Sequence, residues 1–393
     1  MTRVVILNAC VILILGLLSI DLYNPALPAM VRALGISSAQ GQSLVGYYLI
    51  GFSLSQLIYG PLSDRKGRVP VVLLSLGLAA IANYLTFLAD SFTAVVYSRL
   101  LTGLAAGGCP VISRAILSDT LKSKVEISRT SSIFSMAAQI SPGIAPIIGG
   151  YITAYLPWNY NFLALSIFML AGWVFIRLTL QETAPLRENM LPPKHLSNFL
   201  ILLSNTEFLV YSLVAALVFS ITVGYFTASP FVFQVEYHLL PKENGFLFFI
   251  YSLGIVAGAY LTRLLLKSIS PEKILLYSLL FLLIVSLAFP VTVWLLQLHQ
   301  IGLLLVYSLL IALGCGLAAP VSMGLSLHGH ASVAGTRSAL QGTIKMAGSG
   351  IILYFFAQAK TSSFMGLMWG LFALALVALI ATLCLQIKNI FSK

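Results

Sequence analysis

Three charged side chains interrupt runs of the sequence that are otherwise apolar, and each could bind a proton or an ion. Asp21 breaks the stretch LGLLSIDLYNPALPAM (15–30), and no charge precedes it as far back as Val4. Among 11 Asp and Glu it is the only one well inside a long apolar run. A carboxylate buried there without a counter-charge is costly as an anion and should take up a proton; a cation nearby favours the anion. An acid whose surroundings alternate can therefore bind and release a proton in step with a conformational cycle. Ionisable groups inside a membrane mark such pathways. The alternative role is structural, an Asp that caps a helix broken ahead of Asn24-Pro25. Arg99 and Lys345 are the matching cations, each deep in an apolar run. Metal chemistry finds little support: the His lie at loops or run ends, and His328-Gly-His330 alone offers too few ligands. Cys10, Cys109, Cys315 and Cys384 read as small packing residues, without disulfide or metal spacing. No metal and no cofactor is implied.

These residues must be carried by membrane helices. Of 393 residues, 59% are hydrophobic and only 8% charged, against about a quarter charged in a soluble domain. Apolar runs of about 20 residues, the length that crosses a bilayer core, recur throughout. They fall at 4–29, 40–60, 70–89, 92–118, 127–155, 160–180, 207–232, 243–266, 272–296, 300–325, 336–358 and 363–388. Each must be helical, because only an internally satisfied backbone survives in lipid. The first run is too long for a signal peptide and reads as a retained helix. The formal charge of +11 reflects topology rather than nucleic-acid binding. Of the 22 Lys and Arg, only Arg32, Lys242 and Lys360 fall outside, and Arg99, Arg114 and Lys345 lie within spans. The rest are cytoplasmic if both termini are, which is the positive-inside pattern. The longest polar interval, QETAPLRENMLPPKHLSN (181–198), separates six spans (1–180) from six (199–393) and reads as a cytoplasmic linker. Such halves place a carrier's substrate site near the bilayer midplane. Helix one runs outward and helix four inward. At 1.5 Å per residue Asp21 lies about 26 Å from the inner end of its span and Arg99 about 10 Å from the outer end of its own. The two should share a depth in the outer half.

The loop GPLSDRKGRVP (60–70) is a glycine-bounded turn with an acid among bases. A basic cytoplasmic loop alone would explain Arg65, Lys66 and Arg68. The spacing G-x-L-x-D-R-x-G-R is more specific, and it resembles the signature loop of the major facilitator superfamily. RLLTGLAAG (99–107) resembles that family's fourth-helix arginine motif, and SPGIAPIIGG (141–150) its fifth-helix antiporter motif. SIDLYNPALP, SRAILSD (113–119) and ASPFVF (228–233) are similar to the Bcr/CflA subfamily of drug/proton antiporters. The resemblance implies an all-α membrane protein of twelve helices in two six-helix halves. It implies gating by Gly60, Asp64, Arg65, Gly67 and Arg68, and by Pro142, Gly143, Pro146, Gly149 and Gly150 on the fifth helix. Proton coupling would fall to Asp21 and Arg99. The second half departs from the pattern: GAYLTRLLLKSISPEK (258–273) has no acid at the matching turn, and Lys345 stands where an uncharged residue is expected.

Lys345, Tyr47, Gln139, Tyr225 and Gln341 are candidates for a substrate cavity, and Gln56 and Asn83 are further polar groups within spans, although helix-to-helix hydrogen bonding would equally explain the uncharged ones. A lipid-facing Lys at mid-span would cost about 2.5–3.5 kcal/mol, which favours a cavity-facing position over one snorkelling to the interface. The expected protein is not an enzyme. It is a monomeric, proton-coupled exporter of a small organic molecule or drug, working by alternating access in the bacterial inner membrane. A variant of this expectation is an exporter of one endogenous anionic metabolite, such as a siderophore. Its partners would be that substrate, protons and the lipid bilayer, with no nucleic acid.

Overall fold

The computed structural model describes residues 2–120, 124–184, 201–296, 301–328 and 334–391. Every regular element among them is helical. They fall into two compact units: Met1–Leu191 with Leu240–Phe246, and Pro192–Leu239 with Leu247–Lys393.

The first unit holds α1 (Thr2–Asp21), a 3-10 turn (Asn24–Ala26), α2 (Leu27–Leu34), α3 (Ser38–Lys66), α4 (Arg68–Leu88), α5 (Phe92–Ala106), α6 (Gly108–Thr120), α7 (Lys124–Tyr155) and α8 (Tyr160–Thr179). Helix α1 stops at Asp21 because Pro25 and Pro28 follow, and neither can donate to a preceding carbonyl. The proline instead starts the 3-10 turn and then α2, the position its fixed φ suits. Ser37 and Gln40 form a reciprocal capping box at the start of α3. Ser91 accepts from Ala94 N–H at the start of α5. Helices α3 and α5 pack backbone to backbone at Gly103, where a Cβ would overlap the chain at Tyr48 and Phe52. That close approach is the use of small residues in membrane bundles.

The second unit holds α9 (Thr206–Phe231) running into a π turn (Val232–Glu236), most of α10 (Pro241–Leu265), α11 (Pro271–Leu296), α12 (Ile301–Leu327), α13 (Ala334–Gln358) and α14 (Phe364–Phe391). Asn205 caps α9 by accepting from Phe208 N–H at 2.9 Å. Glu236 accepts from Phe364 N–H, the first amide of α14, at 3.0 Å.

Nine stretches of the described residues are long and apolar enough to cross a membrane. Three further helices, α3, α7 and α14's predecessor α13, have the length but carry more polar residues. With α1–α2 and α5–α6 each forming one broken span, the helices correspond to the twelve expected runs. The expected all-α architecture is the one observed. The largest boundary difference is in α3, expected to end near residue 60, which continues through Pro61 to Lys66. Residues 185–198 of the expected linker lie outside the described residues.

Candidate functional site

Two polar clusters stand out in the first unit. The deeper one forms where α1 breaks. Asp21 is 6% exposed, and its Oδ2 accepts from Ser141 Oγ of α7 at 2.9 Å. Arg99 of α5 is fully buried. Its Nη1 donates to the carbonyl of Ser19 at 3.2 Å, and its Nη2 to Asn83 Oδ1 of α4 at 3.1 Å. The first bond follows from the break: a helix ending at Asp21 leaves the last carbonyls without intrahelical partners, and a cation there also complements the helix dipole. Three rings enclose the guanidinium carbon, with centroids at 5.0 Å (Tyr23), 5.3 Å (Tyr48) and 4.8 Å (Phe162). Arg99 is thus held by a carbonyl, an amide and π faces. The only ion pairs among the described residues are those of Arg68. Asp21 and Arg99 therefore occupy one neighbourhood, the end of α1, without forming a direct pair.

The second cluster is the turn between α3 and α4. Arg68, 8% exposed, donates from Nε to Asp119 of α6 at 2.8 Å and from Nη1 to Ser63 Oγ at 2.7 Å, and it also pairs with Asp64. Glu182, just past α8, accepts from the first amides of α4: Arg68 N–H at 2.8 Å and Val69 N–H at 3.1 Å. Thr183 and Ala184 N–H also donate to it, each at 3.0 Å. Burial pushes the Glu182 carboxyl up, but these four amide bonds outweigh it and hold the carboxyl below the usual range. An anion at a helix N-terminus is favoured by the same geometry. Gly67 lets the turn close: its φ is +93°, and a Cβ there would come 2.5 Å from Glu182 Oε2.

The remaining expected gate residues take different positions. Arg65 is exposed and Gly60 half-buried. On α7, Gly143 and Pro146 are buried, and Pro142 is partly so. Gly149 packs on the Leu22 carbonyl at the α1 break, and Gly150 on the backbone of Pro241 and Lys242, which group with this unit.

Of the candidate cavity residues, Tyr47 belongs to the first unit, and Tyr225, Gln341 and Lys345 to the second. Lys345 is half-buried, with Nζ 5.0 Å from the ring centroid of Phe219 on α9. Gln341 is 2% exposed. Tyr225 is 1% exposed and stacks on Tyr251 at 4.2 Å, within a cluster that includes Phe226, Phe233 and Phe248. Its ring packs among these rings within the second unit. Tyr47 is half-buried, whereas its neighbour Tyr48 is the one beside Arg99. The side chain of Gln139 lies outside the described residues.

Sequence reasoning did not single out Ser141, Tyr48, Asp119 or Glu182 as site residues, and it offered Asn83 only as a polar group that could line a cavity. Asp119 was visible as the acid closing SRAILSD. Nothing local could mark Glu182, which acts 114 residues from Arg68 in sequence.

The sequence model of the Major Facilitator Superfamily matches residues 9–353. The MFS-type transporter YdgK of Bacillus subtilis (strain 168) is 31% identical over 254 residues, 63% of this chain and 62% of that protein. A bicyclomycin resistance protein homolog of Haemophilus influenzae (strain ATCC 51907 / DSM 11121 / KW20 / Rd) is 24% identical over 97% of both chains. Among solved structures, a D-xylose–proton symporter superposes with a TM-score of 0.75 at 14% identity, over 97% of each chain. At that identity the likeness concerns the fold alone.

Proposed function

The chain belongs to the Major Facilitator Superfamily, and from that premise we propose that it is a proton-coupled exporter of small organic molecules. It would act as a monomer in the bacterial inner membrane, with both termini cytoplasmic. The observation that carries the coupling is the state of Asp21: a carboxylate 6% exposed, held by one hydroxyl, at a helix break where Arg99 is fixed close by on the Ser19 carbonyl. A single hydroxyl partner satisfies a protonated or an ionised carboxyl, so Asp21 can cycle between them. Arg99, which makes no direct ion pair among the described residues, would supply a field that favours release. The bicyclomycin resistance relative, similar along nearly the whole chain, supports the export direction. The cluster of Asp64, Arg68, Asp119 and Glu182 would latch the cytoplasmic gate, with the glycines and prolines of α7 allowing its helix to bend.

The deciding measurement is gradient-driven uptake into everted membrane vesicles, with a panel of lipophilic dyes and organic anions. Asp21→Asn should insert at wild-type levels and lose the proton-driven component. Full gradient-driven uptake by that variant would remove Asp21 from the mechanism.

A second reading concerns the cargo. Lys345 stands mid-helix, half-buried and over the Phe219 ring, and a cation in that position favours a substrate bearing a carboxylate or similar acid. Lys345→Gln should then weaken uptake of the organic anions and spare the dyes. Unchanged anion uptake, or robust uptake of lipophilic cations alone by the wild type, would sink this reading.

A further inference from the structure

Asn83 is the part of the deeper cluster with no role assigned so far. It is fully buried at the middle of α4's outer half, and its two ends are committed. Nδ2 donates to the Ala79 carbonyl of its own helix at 2.9 Å, which turns Oδ1 outward to accept from Arg99 Nη2. It is the side-chain amide that accepts from Arg99, beside the Tyr23 ring and hydroxyl on the same guanidinium. The other anchor, the Ser19 carbonyl, belongs to α1 and holds a different nitrogen. Two acceptors on two helices fix a planar fork in both position and tilt, which the surrounding ring faces alone cannot do.

Chemistry explains the amide. A carboxylate at position 83 would also accept from Arg99, but it would cancel the cation locally. A neutral acceptor holds the guanidinium while leaving its charge to act on Asp21. Among the described residues, Tyr23 beyond the break and Tyr48 on α3 each lie near both Asp21 and Arg99 of α5, and Cys109 of α6 lies near Tyr48. Among the described side chains, α7 contributes the Ser141 hydroxyl and α8 the Phe162 ring beside Tyr23. Arg99 is the one cation among these groups, and its Nη1 sits on the Ser19 carbonyl, two residues before the acid.

We propose that Asn83 is the positioning residue for Arg99, a neutral acceptor that aims the guanidinium at the α1 break while preserving its charge. The proposal rests on the reading of Asp21 as the proton-coupling acid, and its test is kept separate from transport. The probe is the proton itself: pH-dependent infrared difference spectra of the full-length protein in lipid, with the Asp21 carboxyl band identified by its loss in Asp21→Asn. Asn83→Asp should move the midpoint of that band toward alkaline pH by about one unit, the scale set by cancelling a nearby charge. Asn83→Leu, similar in size but without an acceptor, should move it the same way by less. Asn83→Gln, which keeps the neutral acceptor, should return it toward the wild-type value. Midpoints in Asn83→Asp and Asn83→Leu that superimpose on wild type overturn the proposal. If the midpoints shift as described while wild-type vesicles ignore a proton gradient, Asn83 keeps its role and the transport reading fails alone.

Discussion

The glycines that bound the signature turn, Gly60 and Gly67, look equivalent in the motif, yet their surroundings make opposite demands. At Gly67 a replacement by alanine must adopt φ +93° with ψ +157°, a region essentially reserved for glycine, at a cost of about 1–3 kcal/mol. The new Cβ would also meet Glu182 Oε2 at 2.5 Å. The carboxylate must withdraw from the first amides of α4 or the turn must open. At Gly60, inside α3, the nearest neighbour to a new Cβ is Val111 Cγ1 at 3.7 Å, an ordinary contact. Helix propensity there favours alanine by about 0.5–1 kcal/mol. The two substitutions should therefore differ by about 1.5–4 kcal/mol, with opposite signs. Thermal unfolding of the purified protein, beside gradient-driven uptake, would show it. Gly67→Ala should lose several degrees and most of its transport, while Gly60→Ala matches or exceeds wild type in stability. Adding Glu182→Ala to Gly67→Ala removes the overlap but not the backbone strain, so it should recover only part of the loss. Equal damage from Gly60→Ala and Gly67→Ala, or none from either, would refute the reasoning.

The two acids on Arg68 should not be interchangeable. Asp119 has a side chain 16% exposed against 44% for Asp64, and water screens the more exposed pair. Asp119→Asn should therefore slow transport turnover more than Asp64→Asn, and the reverse order in vesicle uptake rates would count against the assignment. The depressed Glu182 carboxyl makes its clasp on α4 fully present above the ordinary carboxylate range. The clasp is lost only as pH falls through the lowered value. Limited proteolysis near residue 184 should thus rise in acid in the wild type, and it should already be high and insensitive to pH in Glu182→Ala. Arg99→Lys keeps the charge but cannot reach the Ser19 carbonyl and Asn83 Oδ1 from separate nitrogens. It should retain about a tenth of wild-type uptake or less, and near-normal rates would show that charge alone suffices.

Much of this architecture can be read from residues alone, because hydrocarbon imposes a simple demand on composition. Runs of about 20 apolar residues, punctuated by basic loops, correspond to the observed helices to within a few residues at most ends. Asp21, Arg99 and the 60–70 turn were equally visible, as charges where none should be cheap and as a motif with fixed spacing. What stayed hidden were the partners. An Asp and an Arg at one depth suggest an ion pair, but depth carries no angle about the helix axis. Here the break in α1 offers Arg99 a free carbonyl, and Asn83 takes its other face. Tyr225 could not be sorted by type either, since a ring that packs and a ring that lines a cavity look identical in sequence. Its neighbours Tyr251 and Phe248 come from α10, a contact no periodicity within α9 announces.

Helix α4 is held to Arg99, Asp119 and Glu182 at two places along its length, with hydroxyl bonds at Ser75 and Ala80 between them. Arg68 and its first amides are bound at the turn after α3, and Asn83 grips Arg99 fifteen residues further on, about 22 Å away along the axis. A helix clamped at both ends of such a span behaves as a strut: it can slide or tilt only if a fastening yields. A tilt of about 10° about its midpoint would carry each fastening roughly 2 Å sideways at that span, enough to break a hydrogen bond at either end. Slack is therefore scarce, and loosening the turn changes the load on Arg99.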